Sequence, residues 1–379
     1  MTYQKIIPIA NQILKKYDLC DHCLGRLFSK QLHLSSNKLL GKKLKKNSKS
    51  TQRCYVCKNL FDNLTHFLNM MLDSAKLYSF SSFSVGAIIK PSIIDRDDVI
   101  RSKYKLKGID GIKTDITKEL AKLFSKKAKK TFDYLDPEIV FTVNLKDESC
   151  DVRSKSLTLS GRYVKPVRDF SQKQKSCSNC SGKGCRICNF HGITEYDSVE
   201  GEISQFLFKK LGGTTAKFTW IGGEDKSSLI LGTGRPFFVK IQNPHKRNLR
   251  TSAKLEHVQI NNIKIVSDSP KKPLKFNSLV EAKISTSSKI DSKLLQKLKN
   301  LTKNPIAVYE KSGKRSEKKI HSIKYKKQDD TSFTLFFKFE GGLPVKRFVS
   351  GDDVSPGISQ TLGVSCKCGE FDFHDVEVK

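Results

Sequence analysis

Residues 217–242 read KFTWIGGEDKSSLILGTGRPFFVKIQ. Apolar runs flank a glycine-rich turn that carries two acids, Glu224 and Asp225. KFTWI has the aromatic and β-branched make-up of a strand, GGEDK is a loop, and SSLILGTGRPFFVKI reads as a hairpin turning at Gly232-Thr233-Gly234. That reading puts Asp225 at a strand end, with Arg235 near enough in sequence to keep the carboxylate ionised and oriented. An isolated acid in a turn also serves simply to stabilise the turn. GTGRPF has glycines but no strand-to-helix setting, so a phosphate-cradling loop is not expected.

Outward from this stretch the pattern is mostly β. SFTLFFKFEG, NSLVEAKIS, KKIHSIKYKKQ and EHVQINNIKIV alternate apolar and polar residues between turn signals, which predicts a large antiparallel sheet with a few helices. Toward the N-terminus the period changes. LFDNLTHFLNMMLDSAKL and TDITKELAKLFSKKAKKTFD read as amphipathic helices, SFSVGAIIK and EIVFTVNLKD as strands, a compact α/β module. The fold class is therefore α+β. The expected divisions are 1–60 (an N-terminal helix and a cysteine module), 61–152 (the α/β module) and 153–379 (the sheet-rich domain, with a cysteine knuckle inserted at 177–192). A Lys-rich helix is expected from Lys38 to Lys49.

The chain has 379 residues and 70 Lys+Arg against 38 Asp+Glu, a net charge of +32. A field of that sign concentrates polyanions, and phosphate neutralisation drives nucleic-acid binding through counterion release. No stretch reaches the roughly 18–20 apolar residues of a membrane helix. The first twenty residues lack a signal-peptide core and read as an amphipathic helix. The expected setting is the cytoplasm, where eleven cysteines are not expected to form disulfides. Eight of them fall in Cys-x-x-Cys pairs, Cys20/Cys23 with Cys54/Cys57 and Cys177/Cys180 with Cys185/Cys188. Each set can supply four thiolates to one tetrahedral ion, giving one or two structural zinc ions with no open coordination position. Ligand softness alone leaves an iron–sulfur cluster open. Cys366, Cys368 and Cys150 are left over, and no role is assigned to them. No organic cofactor is expected. A monomer is the default, since nothing in the sequence sets the oligomeric state.

Arg162, Tyr163, Lys165 and Arg168, in SGRYVKPVRDF, are candidate phosphate clamps, and Arg26 suits a nucleic-acid backbone contact; a solvated surface explains such residues nearly as well. At this point the chain resembles a known family. GEDKSSLILGTGRPFFVKIQNPHKR is similar to the signature of the archaeal and eukaryotic tRNA pseudouridine synthases that act on uridines 54 and 55. LCDHCLGRLFSK with RCYVCKNLF resembles their N-terminal zinc-bearing part, SGRYVKPVRDFSQ with CSNCSGKGCRIC the opening of the catalytic domain in archaeal members, and GGLPVKRFVSGDDVSPGISQTLG their C-terminal motif. The motifs keep one order over nearly the whole chain.

The resemblance implies a THUMP-containing RNA-binding region, then a pseudouridine synthase fold that isomerises uridine in the tRNA T arm. It places the catalytic carboxylate on Asp225, with Arg235, Lys346 and Tyr309 as supporting residues and Lys346 and Arg347 on a strand. It implies tRNA as the partner and no membrane. Three departures stand out: Gly223 replaces the motif's Arg, SSL replaces its Asp-Val-Arg, and Pro344 stands where Tyr is usual. The alternative from another class is a non-catalytic RNA-binding or ribosome-associated zinc protein. A methyltransferase is disfavoured, because no strand–Gly-rich–helix cofactor loop is present. The position modified, 54 or 55, is not legible.

Overall fold

Apolar spacing builds the first helices. In a computed structural model describing residues 3–32, 36–45, 53–107, 110–249, 251–310 and 312–379, α1 (Tyr3–Leu14) buries Ile6, Ala10 and Ile13 on one face. The first cysteine hook starts α2 (Asp21–Ser29): Cys20 is its N-cap, and its Sγ accepts the Cys23 N–H at 3.4 Å. α3 (Asn37–Lys45) crosses α2 at backbone-contact distance. A Cβ on Gly25 would lie 1.8 Å from the Asn37 carbonyl oxygen, and one on Gly41 1.9 Å from that of Asp21. The expected continuation of the Lys-rich helix over 46–49 lies outside the described residues.

The chain divides into two units, Met1–Lys155 and Ser156–Lys379. In the first, α4 (Leu64–Ala75), β1 (Ser82–Ile88), α5 (Pro91–Lys103), α6 (Ile112–Ala128), β2 (Thr131–Phe132), β3 (Ile139–Asn144) and β4 (Ser149–Ser154) follow in order. The sheet order is β2-β1-β3-β4, with β1 parallel to both neighbours and β4 antiparallel to β3. β3 buries Ile139, Phe141 and Val143 at the period of two, against Phe83 and Phe124. Helix α5 is additional to the elements expected for this module.

The second unit holds β5 (Leu157–Lys165), α7 (Val199–Leu211), β6 (Ala216–Trp220), β7 (Ile230–Ile241), β8 (Ala253–Lys254), β9 (Gln259–Val266), β10 (Phe276–Thr286), α8 (Ser292–Gln296), β11 (Ile306–Tyr309), β12 (Arg315–Lys318), β13 (Ile320–Lys327), β14 (Ser332–Glu340), α9 (Val345–Ser350), β15 (Val354–Ser355), α10 (Ile358–Leu362) and β16 (Cys366–Val378). Its large sheet runs β13-β14-β10-β16-β7-β5-β9-β8, with β6 also on β7. The pairings are antiparallel except β16 with β7, which meet in parallel at Phe373 and Ile230. A smaller sheet has the order β12-β11-β15. The expected mainly antiparallel sheet is present.

Two local expectations are corrected. Gly232-Thr233-Gly234 is not a hairpin turn but the early part of the continuous strand β7. The glycines serve close approach: a Cβ on Gly232 (φ +57°) would lie 2.1 Å from the His374 carbonyl oxygen of β16, and one on Gly234 (φ +80°) 2.5 Å from that of Tyr163 on β5. Lys346 and Arg347 lie on helix α9, not on a strand, because Val345, Phe348 and Val349 are buried at helical spacing. The 221–229 turn joins β6 to β7, and α9 follows β14, so both reach the site described next.

Candidate active site

Glu224 and Asp225 have opposite fates. The Glu224 side chain is fully buried, with Lys165 Nζ 3.1 Å from Oε1 and Arg235 Nε 3.3 Å from Oε2. The Tyr163 hydroxyl donates to Oε2 at 2.6 Å, and Gln172 Nε2 donates to that hydroxyl at 2.9 Å and to the Gly222 carbonyl at 3.3 Å. Burial, then the Glu224 charge, pushes the Tyr163 phenol well above its usual range, so it remains a donor. Arg235 also donates from Nη1 to the Ile221 carbonyl at 3.0 Å, and its guanidinium lies 4.3 Å from the Phe373 ring centre. Lys165 completes the anchor by donating to the carbonyls of Phe170 at 2.9 Å and Lys226 at 3.2 Å. Two cations and a phenol face one acid, so removing any one partner would leave a buried charge uncompensated.

With Glu224 turned inward, Asp225 faces out. Its side chain is 31% exposed. Oδ1 accepts from the Ser227 N–H at 3.1 Å and from Ser227 Oγ at 2.7 Å, an Asx-type turn. Oδ2 accepts from Lys346 Nζ at 2.7 Å. The Lys346 hydrogen bond, followed by those of Ser227, outweighs partial burial and draws the Asp225 carboxyl down to about 2. One oxygen therefore holds the turn, and the other is an ionised acceptor at the surface.

A cavity of about 740 Å³ adjoins this pair. Gly222 and Gly223 line it from the Asp225 turn, and Leu343, Pro344 and Arg347 line it from the start of α9. Asp225 and Lys346 are not among its described lining residues, but their chain neighbours Gly223 and Arg347 are. Phe276, at the start of β10, supplies an aromatic wall. Its ring is wedged between glycines: a Cβ on Gly222 would lie 2.7 Å from it and one on Gly341 2.3 Å. The volume suits a nucleoside-sized group.

The other expected site residues are placed differently. Arg235 does not touch Asp225; it fixes Glu224 beside it. Tyr309 is 43% exposed at the end of β11, whereas its neighbours Val308 and Glu310 line the cavity, as strand alternation requires. The expected RNA contacts have partners within the protein, and three of them are buried. Tyr163 and Lys165 are fully buried under the turn. Arg162 donates to the carbonyls of Thr233, Gly234 and Val376. Arg168 grips Asp372 through both amino groups at 2.8 and 2.7 Å and the Ser227 carbonyl at 2.7 Å. Arg26 is 1% exposed and forms a buried, two-pronged ion pair with Asp97. Sequence reasoning misses Glu224, Gln172 and Phe276. The paired acids and the aromatic beside Lys275 are visible in the sequence, but nothing local tells which side chain turns inward.

Each cysteine set is gathered. The four sulfurs of Cys20, Cys23, Cys54 and Cys57 lie within 4.8 Å of one another, as do those of Cys177, Cys180, Cys185 and Cys188. The separations of 3.6 Å for Cys20–Cys57 and 3.8 Å for Cys180–Cys188 and Cys185–Cys188 match the ~3.8 Å edge of a tetrahedron with ~2.3 Å metal–sulfur bonds. Backbone N–H groups of Gly184, Cys185 and Gly192 point at sulfur at 3.2 Å, as thiolates require. Both sets fit zinc. Among the described residues, no helix is long and apolar enough to cross a membrane.

Comparison with known proteins gives a consistent result. Residues 158–377 match the family model described as Pus10, C-terminal, and residues 67–144 the one described as Pus10 THUMP domain, archaeal. The chain is 87% identical over 379 residues, 100% of each sequence, to the tRNA pseudouridine synthase Pus10 of Nitrosopumilus maritimus (strain SCM1). It is 36% identical to the protein of the same name from Cenarchaeum symbiosum (strain A), over 96% of this chain and 90% of that one. Among solved structures, a Cbf5-Nop10-Gar1 complex aligns at 12% identity and a TM-score of 0.30, over 46% of this chain and 44% of that one.

Proposed function

The chain belongs to the Pus10 family of tRNA pseudouridine synthases, with a THUMP domain ahead of its synthase domain, and from that premise we propose that it isomerises uridine to pseudouridine in the T arm of tRNA, in the cytoplasm, with Asp225 as the nucleophile. The observation that carries this reading is the ionised, outward-facing Asp225 carboxylate, paired with Lys346, with its chain neighbours Gly223 and Arg347 lining a nucleoside-sized cavity. Covalent catalysis by a carboxylate divides the isomerisation into easier steps. The carboxylate bonds to the target nucleoside and the bond between C1′ and N1 breaks. The uracil turns, C1′ joins C5, the C5 proton leaves, N1 takes up a proton in its place and the carboxylate is released. Product and substrate are isomers, so no oxidant, reductant or organic cofactor is called for.

The chain's own groups have distinct parts. Lys346 keeps Asp225 ionised and aimed. Lys165, Tyr163 and Arg235 act only through Glu224, holding the turn so that Asp225 need not reorganise. Phe276, rather than Tyr309, is the aromatic that stacks on the extruded base, because it walls the cavity and packs closely on Gly222 and Gly341. The two cysteine sets hold structural zinc; four thiolates at each leave no position for substrate.

Carbodiimide-based mapping of pseudouridine in an unmodified tRNA transcript tests this. Modification at position 54, 55 or both is expected with wild-type protein, and replacing the target uridine by cytidine abolishes that signal. A protein that binds the transcript and modifies neither position contradicts the reading and favours a non-catalytic RNA-binding protein.

A further inference from the structure

The cysteine knuckle at 177–192 is fastened on one side and bare on the other. Its base is stapled by the Val199 N–H to the Ser171 carbonyl at 2.9 Å and the Glu200 N–H to the Gln172 carbonyl at 3.0 Å. Gln172 also donates to Gly222, so the insertion springs from the segment that holds the Asp225 turn. Within the knuckle, the Cys177 N–H donates to the Gly192 carbonyl at 2.8 Å. His191 stacks on Phe208 of α7 with ring centres 3.9 Å apart and planes at 10°, and its Nδ1 lies 3.0 Å from the Tyr196 hydroxyl. These contacts fix the module rigidly to its domain.

At the tip the chain turns apolar groups outward. Ile187 is 70% and Phe190 50% exposed. Asn189 (φ +49°) and Phe190 (φ +61°) are consecutive left-handed residues, a conformation a bulky side chain rarely adopts and one that persists only where its surroundings impose it. The Phe190 N–H bonded to the Cys185 carbonyl at 2.8 Å, and the His191 N–H bonded to that of Cys188 at 2.8 Å, impose it here. From Ser171 to Gly192 the charged side chains are Lys173, Lys175, Lys183 and Arg186, with no acid among them, and Lys183 and Arg186 stand at the tip.

Exposed apolar side chains beside the exposed cations Lys183 and Arg186 match a partner that is flat-faced and anionic at once. We propose that the knuckle tip, Ile187 and Phe190 with Lys183 and Arg186, is a docking surface for unpaired nucleotides of the tRNA, apart from the nucleotide being modified. Phe190 stacks on a base, and Lys183 and Arg186 neutralise flanking phosphates. The inference rests on the reading above that tRNA is the substrate, and it adds a second point of attachment in the synthase domain.

The test is equilibrium binding of an unmodified tRNA transcript to the full chain at several salt concentrations, with zinc per chain measured in parallel. Phe190→Ala is expected to weaken binding about tenfold, with zinc content and the salt slope retained. Lys183→Gln with Arg186→Gln is expected to flatten the slope of log K against log salt by about 1.4, near 0.7 for each single-strand phosphate left without its cation. Affinity and slope unchanged in both variants overturn the proposal and leave the tip to a protein partner. Weakened binding by the variants, with a wild type that forms no pseudouridine, sustains it while refuting the enzymatic reading. Unaltered binding with active wild type refutes it alone, and a wild type that binds no tRNA refutes both.

Discussion

Asp225 carries different loads on its two oxygens, and the proposed catalytic role rests on that difference. Ser227 takes Oδ1, while among the described residues Oδ2 accepts from Lys346. The carboxyl is depressed to about 2 from its ordinary 3.8, so it contributes stability above the unfolded value and loses it as pH falls through the folded one. It is thus ionised at every working pH. Lys346→Met should raise the Asp225 pKa toward 3.8 and move any acid limb of the pH–rate profile upward, with kcat lower by about 10² or more; a profile and rate like wild type would remove Lys346 from the site. Glu224→Gln is isosteric but leaves Lys165 and Arg235 buried against a neutral amide. Denaturant unfolding of the Ser156–Lys379 unit should show destabilisation by about 3–5 kcal/mol, as when one partner of a buried pair is removed. An unchanged transition would mean that Glu224 does not anchor the turn.

At the scale of elements, periodicity and residue spacing make much of the fold legible, and they fail where tertiary approach overrides local pattern. The strands of the large sheet are legible because their alternation faces one core. Strand β7 reads as a hairpin in sequence because Gly232-Thr233-Gly234 has turn composition; those glycines in fact admit β16 and β5. Helix α5 escapes notice because PSIIDRDDVI has little apolar periodicity and it buries an acid, Asp97, against Arg26. The basic run SGRYVKPVR looks like a phosphate clamp, but charge type says nothing about direction, and its cations point into Glu224, Asp372 and backbone carbonyls. The grouping of the cysteine hooks into two sets is legible, since Cys-x-x-Cys spacing already pairs the thiols that the fold gathers. Elemental analysis should give about two zinc per chain, and Cys188→Ser about one. A wild-type value near one would leave one set without metal.

For the whole molecule, the net charge of +32 supplies attraction to RNA, but attraction is shared by every part of the chain and names no reaction. In the proposed reading, what converts a cationic protein into a catalyst is one carboxylate kept outward beside a buried neighbour. That distinction is half legible: GGED gives the acid and its turn, whereas the roles of Glu224, Gln172 and Phe276 depend on segments far apart in sequence and have no local signature.

The decisive measurement is pseudouridine formed per tRNA by Asp225→Ala, beside its tRNA affinity and that of wild type. The account predicts an affinity within about threefold of wild type and a rate at least about 10³-fold lower. Pseudouridine formed at a wild-type rate by the alanine variant would contradict it.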